Sequence, residues 1–158
     1  MFIKILDIIE EIFCHIIGGL FLAMTLLVFV SVLSRYLFHT PLAWSEEIAR
    51  FMMVWMGFLG AAVCSKREEH IKMGFSIAKL VSPQFEKIVL SLLNVAFIVF
   101  LIFLIKAGFT VCVRGSYIRS PALQIPMNYI MSAIPIAGFA MLIFHMVSLY
   151  KNYKGEKQ

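Results

Sequence analysis

The chain has 158 residues, 61% of them hydrophobic, with a mean hydropathy of +0.92. Soluble domains carry about 45–50% apolar residues, so a soluble fold of this size lacks the polar residues to cover its surface, and an integral membrane protein is the class that fits. The net charge of +5 comes without a Lys/Arg run interleaved with aromatics; this sets nucleic acid aside as a partner and leaves the basic residues to flank hydrophobic spans and set topology.

The lead segment MFIKILDIIEE is net acidic, and the apolar run behind it is too long for the core of a cleaved signal peptide. It is expected to stay as a first transmembrane helix over residues 12–34, which carry no formal charge. The second span follows Thr40 and Pro41, a fitting N-cap and first helical residue. Its uncharged part, 51–65, covers only about 22 Å at the helical rise. Starting at Pro41 lengthens it to about 37 Å, enough to cross with some tilt. Glu46, Glu47 and Arg50 therefore belong to a span over 41–65, near one membrane interface.

Between spans two and three, residues 68–82 separate on a helical wheel into two faces. Lys72 and Lys79 join the polar stripe, whereas Ile71, Phe75 and Ile77 belong to the apolar one. The pattern predicts an amphipathic helix lying in the plane of the membrane. A solvated loop is the alternative, and a strand would leave its backbone unpaired at a bilayer surface. The third span is expected over 84–113, with Lys106 near its end, where the side-chain stem can snorkel. The fourth is expected over 124–150, with Pro126 near its start and Pro135 a candidate kink. The expectation is one all-α membrane domain over residues 1–158, with four transmembrane helices and the interfacial helix. With both termini in the cytoplasm, nine Lys/Arg fall inside and five outside, so the positive-inside rule favours N-in, C-in.

Enzyme signatures are absent. There is no P-loop, GxGxxG, GxSxG or HExxH, and Ser45 beside Glu46 is not read as a hydrolase nucleophile. No catalytic, cofactor-binding or metal residues are assigned. Cys14, Cys64 and Cys112 sit inside apolar stretches without ligand spacing. His15 and His145 open span one and close span four, and such a pair could hold a haem between helices, so a haem-bearing membrane anchor of a redox complex is one alternative. A stand-alone small oligomeric transporter is another. Against the latter, an ion or solute site inside a membrane needs polar groups at mid-depth. Asn94 is the one clearly polar side chain there, beside a few Ser and Thr. A scaffold subunit accounts better for this distribution.

The charges that open span two lie three and four residues apart, so either Glu46 or Glu47 can reach Arg50 on a helix. Arg35, at the exit of span one, is a second partner within reach. Charges marking the interface and a polar patch contacting another protein are both open readings. The stretch SRYLFHTPLAWSEEIARFMMVWMGFLGAAVCSKREEHIKM resembles the small membrane (Q) subunit of tripartite ATP-independent periplasmic (TRAP) transporters. Arg35, Tyr36, Pro41, Trp44, Ser45, Glu46, Glu47, Arg50, Trp55, Gly60, Glu69 and His70 stand at matching places. SPALQIPMNYIMSAIPIAGFAML is similar to the family's last span, with Pro121, Pro126 and Pro135.

The resemblance implies a multi-pass subunit of the bacterial inner membrane. It would support a large M-type membrane subunit during sodium-coupled symport of an organic acid, delivered by a periplasmic substrate-binding protein. Sodium coupling would reside in the large subunit, and this chain would carry no cofactor. In some members of the family the two membrane subunits are fused; this chain, ending soon after span four, is expected to be a separate Q subunit. Membrane lipids are the remaining partner. Arg35, Trp44, Glu46, Glu47, Arg50, Arg114 and Arg119 would fall on the periplasmic face, where some would dock the binding protein.

Overall fold

The computed structural model describes residues 2–39, 42–68 and 83–154. The interfacial helix expected over 68–82, with Ile71, Lys72, Phe75, Ile77 and Lys79, lies outside the described residues but for Glu68, which closes the second helix. Thr40 and Pro41 lie outside them too.

The described elements are helices: α1 (Phe2–Leu37), α2 (Ala43–Glu68), α3 (Pro83–Gly115), the single turn α4 (Asn128–Met131) and α5 (Ala133–Lys154). Among the described residues the only strand-like feature is an antiparallel bridge between Arg119 and Pro126. Among the described residues, four stretches are long and apolar enough to cross a membrane: Leu6–Leu37, Ala43–Lys66, Ser91–Gly115 and Asn128–Val147. With 36 residues, α1 is about 54 Å long at the helical rise, well beyond a hydrocarbon core of about 30 Å. Its ends therefore either tilt the helix or stand in the headgroup layers.

The last span is interrupted where the sequence places Pro135. Pro135 has no N–H to give the Met131 carbonyl, and its ring crowds that group. The helix accordingly breaks at Ser132, between Met131 and Ala133. Ser132 fastens the break on both sides. Its amide donates to the Asn128 carbonyl at 2.9 Å, its carbonyl accepts from the Ile136 amide at 3.2 Å, and its hydroxyl donates to the Tyr129 carbonyl at 2.8 Å. Pro126 lies in the loop before α4, as the bridge partner of Arg119.

α2 packs on α1 and α5, and α3 packs on α5. The core joins Leu6 of α1, Ala62 of α2, Leu101 of α3 and Ala137, Met141 and Phe144 of α5. Small residues allow close helix approach in membranes, where apolar burial gives no drive between helices. A Cβ on Gly108 would sit 2.7 Å from Ile134 Cγ2, and one on Gly138 would sit 2.9 Å from Ile105 Cγ1. α3 and α5 thus touch through two glycines, one on each helix. α1 is the opposite case. None of its most apolar stretch is buried within the chain, against 44% of that in the last span.

Two threonine hydroxyls inside the spans are satisfied within their own helices. Thr25 donates to the Phe21 carbonyl at 2.8 Å and Thr110 to the Lys106 carbonyl at 3.0 Å. Each caps the carbonyl four residues back in its own helix, a low-cost arrangement for a hydroxyl in hydrocarbon.

Candidate functional site

The C-terminal end of α1, the start of α2 and the loop at 116–127 meet at one end of the bundle. Three consecutive residues of α2 organise the meeting, and each reaches a different target. Ser45 is 2% exposed; its hydroxyl lies 2.8 Å from the Ser31 hydroxyl of α1 and 2.7 Å from the Leu42 carbonyl. Glu46 forms an ion pair with Arg35, in the last turn of α1. Glu47 is 8% exposed, and its Oε2 accepts hydrogen bonds from the backbone amides of Leu123 at 2.8 Å and Ala122 at 3.1 Å. On a helix, successive residues point about 100° apart. A run of three polar residues therefore addresses three directions, and here each direction holds a neighbour.

The loop reached by Glu47 is knit by its own bonds. The Ser120 amide donates to the Ile125 carbonyl at 2.9 Å, and the Met127 amide to the Ile118 carbonyl at 2.9 Å. The Ser120 hydroxyl accepts from the Ile125 amide at 3.2 Å, and Arg119 Nη1 donates to the Gln124 carbonyl at 3.0 Å. Gln124 holds φ at 56°, in the left-handed region that a side chain tolerates only where the surrounding bonds dictate it. At the tip of the loop, 121–124, the side chains of Pro121, Ala122 and Gln124 stay exposed, while the Ala122 and Leu123 amides lie against Glu47 at the start of α2. The root of the loop is left outward, with Tyr117 87% exposed.

The remaining residues expected at a periplasmic face have simpler surroundings. Trp44 and Arg50 are exposed on α2, and Arg114 and Arg119 are exposed at the end of α3 and in the loop. Arg50 does not take the place that its spacing suggests. Among the described residues it enters no ion pair, because Glu46 turns to Arg35 and Glu47 to the loop amides. A pair on one exposed helix face contributes only about 0.2–0.5 kcal/mol, and contacts between elements displace it easily. Val28, Val32, Ser31, Arg35, Ser45 and Glu46 line a shallow groove between α1 and α2, of ≈ 140 Å³.

The opposite end has a polar fastening that the sequence reading does not single out. Lys66, near the end of α2, donates to Asp7 Oδ1 at 2.7 Å, to Glu10 Oε2 at 2.8 Å and to the Leu6 carbonyl at 3.1 Å. Its ammonium also lies 5.5 Å from the centre of the Phe144 ring of α5, a favourable place for a cation. The available signal is the spacing of Asp7 and Glu10, three apart and hence on one helix face.

His15 and His145 occupy different settings. His15 is exposed on α1, with Nδ1 2.8 Å from the Glu11 carbonyl, whereas His145 is buried on α5 with its ring against the edge of Phe97. Among the described residues no three His, Cys, Asp or Glu side chains gather as a metal site requires.

Four apolar helices, fastened at both ends by polar contacts, define a multi-pass membrane protein of the helix-packing kind. The family model of the DctQ component of tripartite ATP-independent periplasmic transporters matches residues 24–155, and the chain belongs to that family. It is 28% identical over 151 residues to the sialic acid TRAP transporter small permease protein SiaQ of Vibrio cholerae, covering 96% of this chain and 85% of that protein. It is 27% identical over 140 residues to the sialic acid TRAP transporter permease protein SiaT of Haemophilus influenzae, covering 89% of this chain but only 23% of that much longer protein. A shorter match, 43% identical over 65 residues, relates 41% of the chain to 27% of the C4-dicarboxylate TRAP transporter small permease protein DctQ of Vibrio cholerae. The chain is thus a TRAP small membrane subunit, a multi-pass protein of the bacterial inner membrane, and its family implies a large membrane subunit as partner.

Proposed function

We propose that the chain is the stationary scaffold beside the large subunit during sodium-coupled import of an organic acid, which a soluble periplasmic binding protein delivers. The observation that carries this reading is where the polar contacts sit. The ion pairs among the described residues lie at the two ends of the bundle, and the hydroxyls of Thr25 and Thr110 within the spans bond their own helices. The helices are fastened to one another, and their side chains offer a solute little to bind. Sodium coupling and solute recognition are assigned to the partners. Two of the relatives are named for sialic acid and one for C4-dicarboxylates; both are carboxylates, which supports an organic acid.

The unburied apolar length of α1 supports cover by lipid and by the large subunit. The nine-to-five distribution of Lys and Arg supports N-in, C-in. In that orientation Arg35, Trp44, Glu46, Arg50, Arg114 and Arg119 form an outward face with an excess of positive charge, suited to a binding protein with an acidic contact surface. The experiment is reconstitution in vesicles. Uptake of a carboxylate should require this chain, the large subunit, the loaded binding protein and an inward sodium gradient together. Full uptake by the large subunit and binding protein without this chain would refute the scaffold role, and uptake by this chain alone would replace it with a stand-alone transporter.

A further inference from the structure

Glu47 stands in the same run as Glu46 but is not available to a docking partner, being 8% exposed beneath the loop. Its neighbours make its role specific. The amides of Ala122 and Leu123, at the tip of the loop, both end on one oxygen of its carboxylate, whereas the Gln124 amide is taken within the loop by the Ser120 carbonyl at 3.1 Å. The bonds within the loop close Ser120 on Ile125 and Ile118 on Met127 and so set its shape, but none of these ties the tip to α2. Glu47 supplies that tie across 75 and 76 residues of sequence.

From this geometry we infer that Glu47 is a positioning residue for docking: it holds the loop so that the outward root, Tyr117, Ile118 and Arg119, meets the soluble binding protein in one fixed arrangement. The inference rests on the docking reading given under Proposed function. Tyr117 and Ile118 are exposed and apolar, and Arg119 is exposed and cationic beside them. Aromatic and arginine side chains are the types that dominate protein contacts when held rigid. Rigidity lowers the ordering cost of association; the root is held to the end of α3 by the Ser116, Tyr117 and Ile118 amides, and the Glu47 tie adds a second anchor, to α2, at the tip. A carboxylate suits the task, since bonds from amides to a charged acceptor are shorter and stronger than neutral ones. Glutamine keeps a carbonyl oxygen with two lone pairs and would hold the tip more weakly. Alanine would hold nothing.

The test uses the assembled complex of this chain and the large subunit in proteoliposomes, with uptake measured while the substrate-loaded binding protein is titrated. Glu47→Ala is expected to raise the half-saturating concentration of the binding protein about tenfold, the equivalent of about 1.4 kcal/mol, with the maximal rate kept. Glu47→Gln should fall between Ala and the unaltered chain. Hydrogen exchange of the same variants should speed up in the segment 118–127 and not in α3 or α5. A fall in maximal rate at unchanged half-saturation, or unchanged exchange in 118–127, would overturn the inference. Arg119→Glu and Tyr117→Ala separate it from its premise. If neither moves the half-saturating concentration, the docking reading fails. If both raise it and Glu47→Ala does not, docking stands and the positioning role falls.

Discussion

Replacing Lys66 by methionine keeps the length and apolar stem of the side chain and removes its charge. The ammonium it loses faces Asp7, 59% exposed, and Glu10, 20% exposed, from a side chain itself 13% exposed. The contact with Asp7 is close to a surface pair and contributes about 0.2–1 kcal/mol. The contact with Glu10 is mostly buried, and stripping one partner from a fully buried pair costs about 3–5 kcal/mol. Scaling for partial exposure, Lys66→Met should destabilise the subunit by about 2–3 kcal/mol. Glu10→Gln in the same chain should recover about 1–2 kcal/mol, because the charge of this mostly buried carboxylate is then removed together with the ammonium that faced it. The assay is a double-mutant cycle on the purified subunit in micelles, unfolded with a denaturing detergent and followed by helical circular dichroism. A cost below about 0.5 kcal/mol, or strict additivity of the two changes, would refute the idea that Lys66 fastens α1 to α2 through Glu10.

Three further outcomes follow from the packing. Ser45→Ala removes the buried partner of the Ser31 hydroxyl and should cost about 1–2 kcal/mol in the same assay, while Ser31→Ala combined with it should cost less than the sum of the two. Gly108→Ala places a methyl 2.7 Å from Ile134 Cγ2 and should destabilise by about 1–3 kcal/mol; Gly57→Ala, whose methyl meets nothing within 4 Å, should leave the isolated subunit as stable as before or slightly more so. Arg35→Gln should change stability by less than about 1 kcal/mol, because the side chains of its pair with Glu46 are 55% and 59% exposed; a larger loss on unfolding would show that the pair acts within a network.

The helical architecture was legible because hydropathy acts over about 20 residues at once and needs no knowledge of neighbours. The break at Ser132 was half legible: Pro135 announces a defect, but the turn preceding it depends on how the 116–127 loop meets α3. The polar run at the start of α2 was legible as a boundary and misleading as a pair. Spacing along one helix joins Glu46 or Glu47 to Arg50, whereas the fold offers Arg35 and two loop amides instead. Arg35, the second partner that the exit of span one offered, is the one Glu46 takes, but a rule confined to neighbouring segments cannot weigh amides 75 residues away. The fastening of Lys66 to Asp7 and Glu10 was hidden for the same reason, although the acidic lead segment was in plain view.

Ser45, Glu46 and Glu47 also differ in when their partners exist. Ser31 and Arg35 precede them in the chain, so a protein inserted from its N-terminus can close these contacts as soon as its second helix is in place. The amides taken by Glu47 are made 75 and 76 residues later, roughly 4–15 s at a synthesis rate of about 5–20 residues per second. For that interval only the contacts to Ser31 and Arg35 are open to the start of α2, and the one made by Glu47 has to wait for the loop before the last span. Three neighbouring residues thus have partners that become available in turn, two early in synthesis and one late.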